Sequence, residues 1–433
     1  MDKNFRQIGG KTLKKVLLFL VAAIAVVTLS ACKGEDDVLK IYQNKIEIDA
    51  AMKTYAAAWS EETGIDVEIV SCGGDSCGYQ TQLLAELQGD DQPDIFVIEG
   101  MGGYNQYDEI IYEFSDDAWI DDTDFAFTVD NKVYGFPVAV EAWGMAYNMD
   151  LIDEANAILD AADQIDPTEL STLAEYQAAF AALDGIKTQL GIDGVVSMGA
   201  GTGLAWVTGL HNFNGYLSSG LTPGDSSVID DLNNGIADRD RLEDLADWVE
   251  LLFDYSTPNL LEGNYDLQVG DFANEKAVFI HQGNWIDPNL VDAGIDFEVG
   301  YAPHAAAAGE NTAIFIGAPS YYVINKDSDN IEEARQYLED LAATEAGHNY
   351  MVNEAKMIPA FNSVTLVPTA PLSAAVWNDW YTEGKFYTWW QNDMPTGFGM
   401  EELGPIYDLF AQGNITKAQF VDQLEAKIEE LPE

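Results

Sequence analysis

Apolar positions along this chain recur with two different periods, and the switches between them predict its elements. Val38-Leu39-Lys40-Ile41-Tyr42 reads as a strand. Ile48, Met52, Tyr55, Ala56 and Trp59 then fall on one face of a helix, with Trp59 completing the core stripe, and Thr63-Gly64 stops it. Ile65, Val67 and Ile69 alternate with Asp66 and Glu68, the pattern of a half-buried strand. Gly78 opens a helix through Leu83, Leu84 and Leu87 that ends near Gly89. Pro93-Asp94-Ile95-Phe96-Val97-Ile98 is almost wholly apolar, as a strand covered on both faces is. The order βαβαβ with right-handed crossovers predicts a parallel α/β layer.

The middle of the chain changes character. Residues 151–255 are mostly helical in period, with strong segments at 170–183 and 242–253. Strand-like segments return at 276–281 and 319–325, an amphipathic helix follows at 331–343, and the last strong helix runs from 417 to about 430. Trp377 and Trp380, three apart on a helix, read as packing. Strand-rich patches separated by helical insertions predict two lobes that exchange chain more than once. Length agrees, because the chain beyond its leader exceeds the 50–250 residues typical of one domain.

The leader is Lys3, Arg6, Lys11, Lys14 and Lys15, then an apolar run from Val16 to Leu29 whose one polar member is Thr28. A basic segment, a short apolar core and small residues at the end make a secretory signal peptide, and the run is too short to span a bilayer. The ending Leu29-Ser30-Ala31-Cys32 resembles a bacterial lipobox, which implies lipidation of Cys32. Residues 1–31 are then the signal and 32–37 a tether linker.

Charge narrows the function classes. Lys and Arg total 20 against 74 Asp and Glu, a net charge of −54. Such a chain does not neutralise phosphates, so nucleic-acid binding is excluded. Anionic ligands are repelled at long range, which leaves neutral or cationic ones. Cys72 and Cys77, across Gly73-Gly74-Asp75-Ser76, can form a local disulfide in an oxidising compartment or remain reduced. Asp121-Asp122-Thr123-Asp124 and Asp327-Ser328-Asp329 lack the glycine and twelfth-position glutamate of an EF-hand loop. No metal site or cofactor is expected.

Four segments in order resemble the carbohydrate-binding lipoproteins of bacterial ABC importers, the extracellular solute-binding family that includes maltodextrin-binding protein. They are Gln92-Pro93-Asp94-Ile95-Phe96 after Gly89-Asp90, Tyr134 to Ala142 with Tyr147-Asn148-Met149-Asp150-Leu151, Gly270 to Phe279 with Gly283-Asn284-Trp285, and Val323-Ile324-Asn325-Lys326 followed by Ala334 to Leu341. The resemblance implies an α/β, two-lobed periplasmic-binding-protein-like clamp of type II, each lobe a sheet flanked by helices, closing by hinge crossovers around a ligand. On that reading residues 38–144 plus 277–320 form the N-terminal lobe and 145–276 plus 321–433 the C-terminal lobe. The implied protein is a monomer, lipid-anchored on the outer face of the cytoplasmic membrane, that delivers an oligosaccharide to ABC permease subunits.

Neutral sugars are gripped by planar side chains with several acceptors and by aromatic platforms. Gln43 and Asn44 lie just past the first strand, where a turn is an equal reading. Glu99, before Gly102-Gly103-Tyr104, and Glu141, in Pro137-Val138-Ala139-Val140-Glu141-Ala142, match positions where the family places a sugar-contacting acid. Trp143 shares the face of Glu141 in an extended segment. Asn284 and Trp285 follow Gly283, Trp206 follows a glycine-rich turn, and one of Trp389 and Trp390 is expected to line the cleft. Met394-Pro395 leads into Gly397-Phe398-Gly399-Met400 where the family often has an aromatic, so maltose is not implied. Two rivals remain: the same fold holding a cation such as a polyamine, and a secreted glycoside hydrolase using two carboxylates. The hydrolase has no positive signal, since the chain has neither a Gly-x-Ser-x-Gly nor a His-Glu-x-x-His motif and its four histidines are scattered.

Overall fold

The structure is a computed structural model that describes residues 38–73, 77–89 and 91–431; the signal segment, Cys32 and the tether lie outside the described residues. Twelve strands are described: β1 Val38–Gln43, β2 Asp66–Ser71, β3 Ile95–Glu99, β4 Phe127–Val129, β5 Lys132–Pro137, β6 Glu141–Asn148, β7 Val196–Ser197, β8 Phe279–Gly283, β9 Val299–Ala302, β10 Ile314–Gly317, β11 Ser320–Ile324 and β12 Phe386–Thr388. The helices that matter most here are α1 Asp49–Thr63, α2 Tyr79–Leu87, α3 Gly100–Tyr107, α4 Leu173–Leu190, α5 Arg239–Asp254, α6 Ile331–Ala343 and α7 Lys417–Glu429.

Local chemistry accounts for their ends. Gly64 closes α1 in the left-handed region at φ 79°, where only glycine is unstrained, and donates its N–H to Ser60 O. Thr172 and Glu175 form a reciprocal capping box at the start of α4, and Asp238 caps α5 through the Arg241 amide. The segments expected at 331–343 and 417–430 are α6 and α7.

The strands form two sheets. The first has the order β2-β1-β3-β11-β5-β4, with β1 parallel to β2 and β3 and with β11 antiparallel to its neighbours. The second has the order β12-β10-β6-β8-β7, with β9 also paired to β6. Two large buried clusters pack on these sheets, and the first also takes in Ala142, Ile280 and Ile314 of the second sheet. Leu39, Ile41, Phe96, Trp119, Phe136 and Tyr337 belong to the first, and Tyr176, Phe180, Trp248, Phe279 and Tyr407 to the second. These are the two lobes.

The sheets divide the chain differently from the sequence reading. Residues 277–320 were assigned to the first lobe, but β8, β9 and β10 all lie in the second sheet. Residues 321–433 were assigned to the second, but β11 lies within the first sheet and α6 packs its Tyr337 and Leu338 on the first core. Three crossings carry this exchange: Val138-Ala139-Val140 from β5 to β6, Ala318-Pro319 from β10 to β11, and the return after α6 that brings β12 into the second sheet. The first two are stitched together, since Val138 donates its N–H to Ser320 O at 3.0 Å. Short apolar strands cannot announce which sheet they enter; pairing partners far away in sequence decide it.

A candidate ligand site between the lobes

β1 and β3 end at Gln43 and Glu99, and β6 begins at Glu141 beside the hinge. Open α/β sheets present ligand-binding groups at such strand ends. Here the loop after β1 supplies Asn44 and Lys45, and the turn after β8 supplies Asn284 and Trp285. Together with Glu47, Val140, Glu141, Pro288 and Met357, most of these residues line a crevice between the lobes.

Its charged group is compact. Lys45 pairs with Glu141 across the lobes and lies 3.9 Å from Glu47. Asn44 Nδ2 donates to Glu99 Oε1 at 2.9 Å. Burial works against the Lys45 ammonium, and the charges of Glu141 and Glu47 outweigh it, so its pKa ends above the ordinary lysine value. Burial raises the pKa of Glu47 and of Glu99, only partly offset by the charge of Lys45. Lys45 was missed by sequence reasoning because a lysine in a polar turn looks like any solvated cation; its burial depends on Glu141, 96 positions away.

The opposite wall is aromatic. Trp285 stacks on His211 with centroids 4.9 Å apart and planes 26° apart, and its Nε1 donates to Gln282 Oε1 at 2.8 Å. Trp389 lies 6.1 Å from Trp285 and Trp206 lies 6.3 Å from it. Behind them Trp143 is buried against Phe315 at 4.1 Å and His304 at 4.8 Å, so it backs the wall and does not share a surface with Glu141. Of the Trp389-Trp390 doublet, Trp389 is turned to Trp285, while Trp390 donates to Asp225 O at 2.9 Å and packs on the second core.

Two expected contact residues are spent on the scaffold. Gln43 is fully buried: its Nε2 donates to Lys45 O and Ser71 Oγ, and its Oε1 accepts from Lys45 N. Asn284 Oδ1 accepts from Ala142 N at 2.8 Å and its Nδ2 donates to Ser373 Oγ at 3.0 Å. Both amides are satisfied inside the protein: Gln43 holds the site's backbone from behind, while Asn284 is fixed in place where it lines the crevice. Cys72 and Cys77 are joined in a disulfide, with Cα atoms 5.4 Å apart. It anchors the site loop: Cys72 donates its N–H to Gln43 O at 2.8 Å, and a Cβ on Gly73 would collide with the Asn44 carbonyl.

The lobes are closed on one another. Gly100 of α3 sits at φ 53°, with Asn392 so near that an added Cβ would lie 2.5 Å from its Cβ, and Thr396 Oγ1 donates to Gly102 O at 2.8 Å. The free space in the crevice is about 10 Å³, roughly one water. Ligands larger than that enter only when the lobes part. A wider hollow of about 450 Å³ lies between Asp117 and the α6 residues Glu332, Arg335 and Glu339. It is open and has no aromatic ring in its lining, so it lacks a platform for a sugar face, and the interlobe crevice is the better candidate. Among the described residues no group of three or more His, Cys, Asp or Glu side chains is arranged to hold a metal ion.

Two sheet-based lobes, paired hinge strands and a polar-aromatic crevice between them define the class of hinged ligand-binding clamps. The chain belongs to the bacterial extracellular solute-binding proteins, which it matches over residues 54–383. It is 25% identical over 373 residues to the maltooligosaccharide ABC transporter solute-binding lipoprotein of Streptococcus pneumoniae serotype 4, covering 81% of this chain and 82% of that one. Among solved structures it is similar to a sugar transporter component of Bacillus licheniformis in complex with stachyose, with a TM-score of 0.70 and 20% identity over 91% of this chain and 100% of that one. A chitin oligosaccharide binding protein has a TM-score of 0.71 at 17% identity, covering 92% and 99%. The family and these relatives are binding proteins, not enzymes.

Proposed function

We propose that this protein is an exported, lipid-tethered receptor that captures an oligosaccharide between its lobes and presents it to the permease of an ABC importer. The observation that carries the reading is the crevice lined by Glu141 and Trp285, with Glu99 beside it through Asn44 and with Trp206 and Trp389 grouped around Trp285. Carboxylates accept hydrogen bonds from sugar hydroxyls, and indole faces cover the flat C–H side of a pyranose. The maltooligosaccharide-binding names of the relatives support the ligand class. Cys32 is the anchoring residue in this reading, the monomer is the working unit, and no chemistry is performed on the cargo.

Thermal-shift screening followed by calorimetry tests it, using malto-oligosaccharides, raffinose, stachyose, chitin oligosaccharides and spermidine. A sugar present at 100 times its Kd should stabilise the fold by about 2.7 kcal/mol. A shift with spermidine and with no sugar would refute the reading. Cys32→Ala should move the protein from the membrane fraction to the medium with sugar binding unchanged.

A further inference from the structure

Lys45 sits at the centre of the site with its ammonium turned to carboxylates. Its side chain is 12% exposed, and those of its partners Glu47 and Glu141 are 15% and 9% exposed. Glu47 follows it on the same loop, Glu141 reaches it from the second sheet, and Glu99 completes the group from β3 through Asn44. Two carboxylates therefore pair with one ammonium, and a third adds its charge from further off. The other lysine lining the crevice, Lys356, donates its Nζ to Asn353 O at 2.5 Å.

Without Lys45 this would be a good site for a cation. A chain of net charge −54 draws cations in from a distance. Clustered carboxylates next to Trp206, Trp285 and Trp389 combine ionic attraction with ring faces that also favour positive charge. The obstacle is local: the place a ligand ammonium would take between the carboxylates is already filled by a side chain that cannot leave.

We infer that Lys45 is a built-in counter-ion, which occupies the cation position of the Glu47–Glu99–Glu141 group and thereby restricts the interlobe site to uncharged ligands. The inference rests on the receptor reading and adds its specificity device. The tethered ammonium is intramolecular, so it outcompetes free amines without any loss of translational freedom. Its charge also offsets part of the burial that raises the pKa of Glu47 and Glu99, and carboxylate oxygens keep lone pairs free to accept from hydroxyls. A diffusing polyamine would have to share those oxygens with a like charge.

The test compares the full-length protein with Lys45→Met, Lys45→Arg and Lys45→Met/Glu47→Gln, titrated calorimetrically with spermidine and with the tightest-binding sugar of the panel, at low and high salt. Lys45→Met should bind spermidine at least tenfold more tightly than the unmodified protein does, with the gain lost at high salt. Lys45→Arg should show no gain, and the double variant, which removes a carboxylate with the ammonium, should lose most of it. Lys45→Gln, which keeps a donor for Glu141, replaces the methionine variant if that one does not fold. A folded Lys45→Met that gains nothing, or a Lys45→Arg that gains as much, overturns the inference while leaving the receptor reading intact. An unmodified protein that binds spermidine and no sugar overturns both.

Discussion

Gly283 offers a way to move the main aromatic platform without deleting it. The residue ends β8 at φ −107° and ψ −179°, extended backbone that any amino acid adopts. Alanine there brings no backbone strain, but its Cβ would fall within the ring of Trp285. Restoring an ordinary carbon–carbon separation of about 3.5–4.0 Å requires the indole to retreat by more than an ångström. That withdraws it from His211 at 4.9 Å and strains the 2.8 Å hydrogen bond to Gln282. The fold should lose about 1–3 kcal/mol, as overpacking does. A sugar face stacked on the ring makes on the order of ten carbon contacts worth about 0.1–0.2 kcal/mol each. Losing that registration costs about 1–2 kcal/mol of binding, so Kd should rise roughly 5- to 30-fold. Calorimetric titration of Gly283→Ala with the best sugar measures this, and urea denaturation shows how much of the variant is folded. Gly270→Ala is the control, because its Cβ would meet only Asn274 Nδ2 at 4.0 Å. A folded Gly283→Ala that binds within twofold of the unmodified protein would refute the placement of Trp285 at the sugar face.

Three further outcomes are expected. Burial, aided by the charge of Asp230, pushes the Asp393 carboxyl up to about 6. The folded state then holds a proton that the unfolded state releases, so this group's contribution is intact below about pH 4, is lost as pH rises to about 6, and stays lost above. Asp393→Asn should therefore add about 2 kcal/mol at pH 7 and flatten that slope in pH-dependent urea titrations; an unchanged midpoint at pH 7 would count against it. His304 is buried with no partner for either ring nitrogen among the described residues, packed by Trp143, Phe315, Trp248 and His281. Burial, with the charges of His281 and His211, holds its pKa well below the usual value, so stability is full above about pH 6.5 and falls as pH drops below it. His304→Phe should stabilise by about 1–3 kcal/mol and make acid unfolding begin at lower pH, as followed by circular dichroism. Replacing Cys72 and Cys77 together by serine should cost about 2 kcal/mol by loop entropy and weaken sugar binding several-fold, because the loop they close supports Gln43 and Asn44; unchanged Kd and urea midpoint would dissociate the disulfide from the site.

What the sequence disclosed depended on how local the cause was. The run β1-α1-β2-α2-β3 is legible because each element carries a short self-contained pattern: apolar residues at helical or alternating spacing in α1, α2 and β2, and nearly unbroken buried runs in β1 and β3. Trp59 was legible as core for the same reason, and its Nε1–H also finds Asp340 on α6. The ring wall could be anticipated only as single tryptophans. The stacking of His211 on Trp285 joins two segments with nothing between them in sequence to signal it, and His211 looked like one of four scattered histidines. A motif singles out Glu141 and none singles out Lys45, since an ion pair is invisible until both ends are placed. Gln43 and Asn284 have the right chemistry for sugar, and the sequence does not disclose that their amides are also paired inside the protein, because short polar side chains serve backbones as readily as ligands.

The hinge strand β11 also sets when the first lobe becomes complete. Its residues lie between β3 and β5, with Ile324 opposite Ile95 and Tyr322 opposite Phe136. A nascent chain delivers β1 to β5 early, yet the β4–β5 pair has no strand to join it to β3 until residues 320–324 arrive, after nearly all of the second sheet. Pairings of such long sequence separation are slow to form. The first lobe's sheet thus stays in two pieces through most of synthesis. A substitution confined to β11 should accordingly slow folding of the whole chain rather than of one lobe, since that strand is the last piece of one sheet and the continuation of the other.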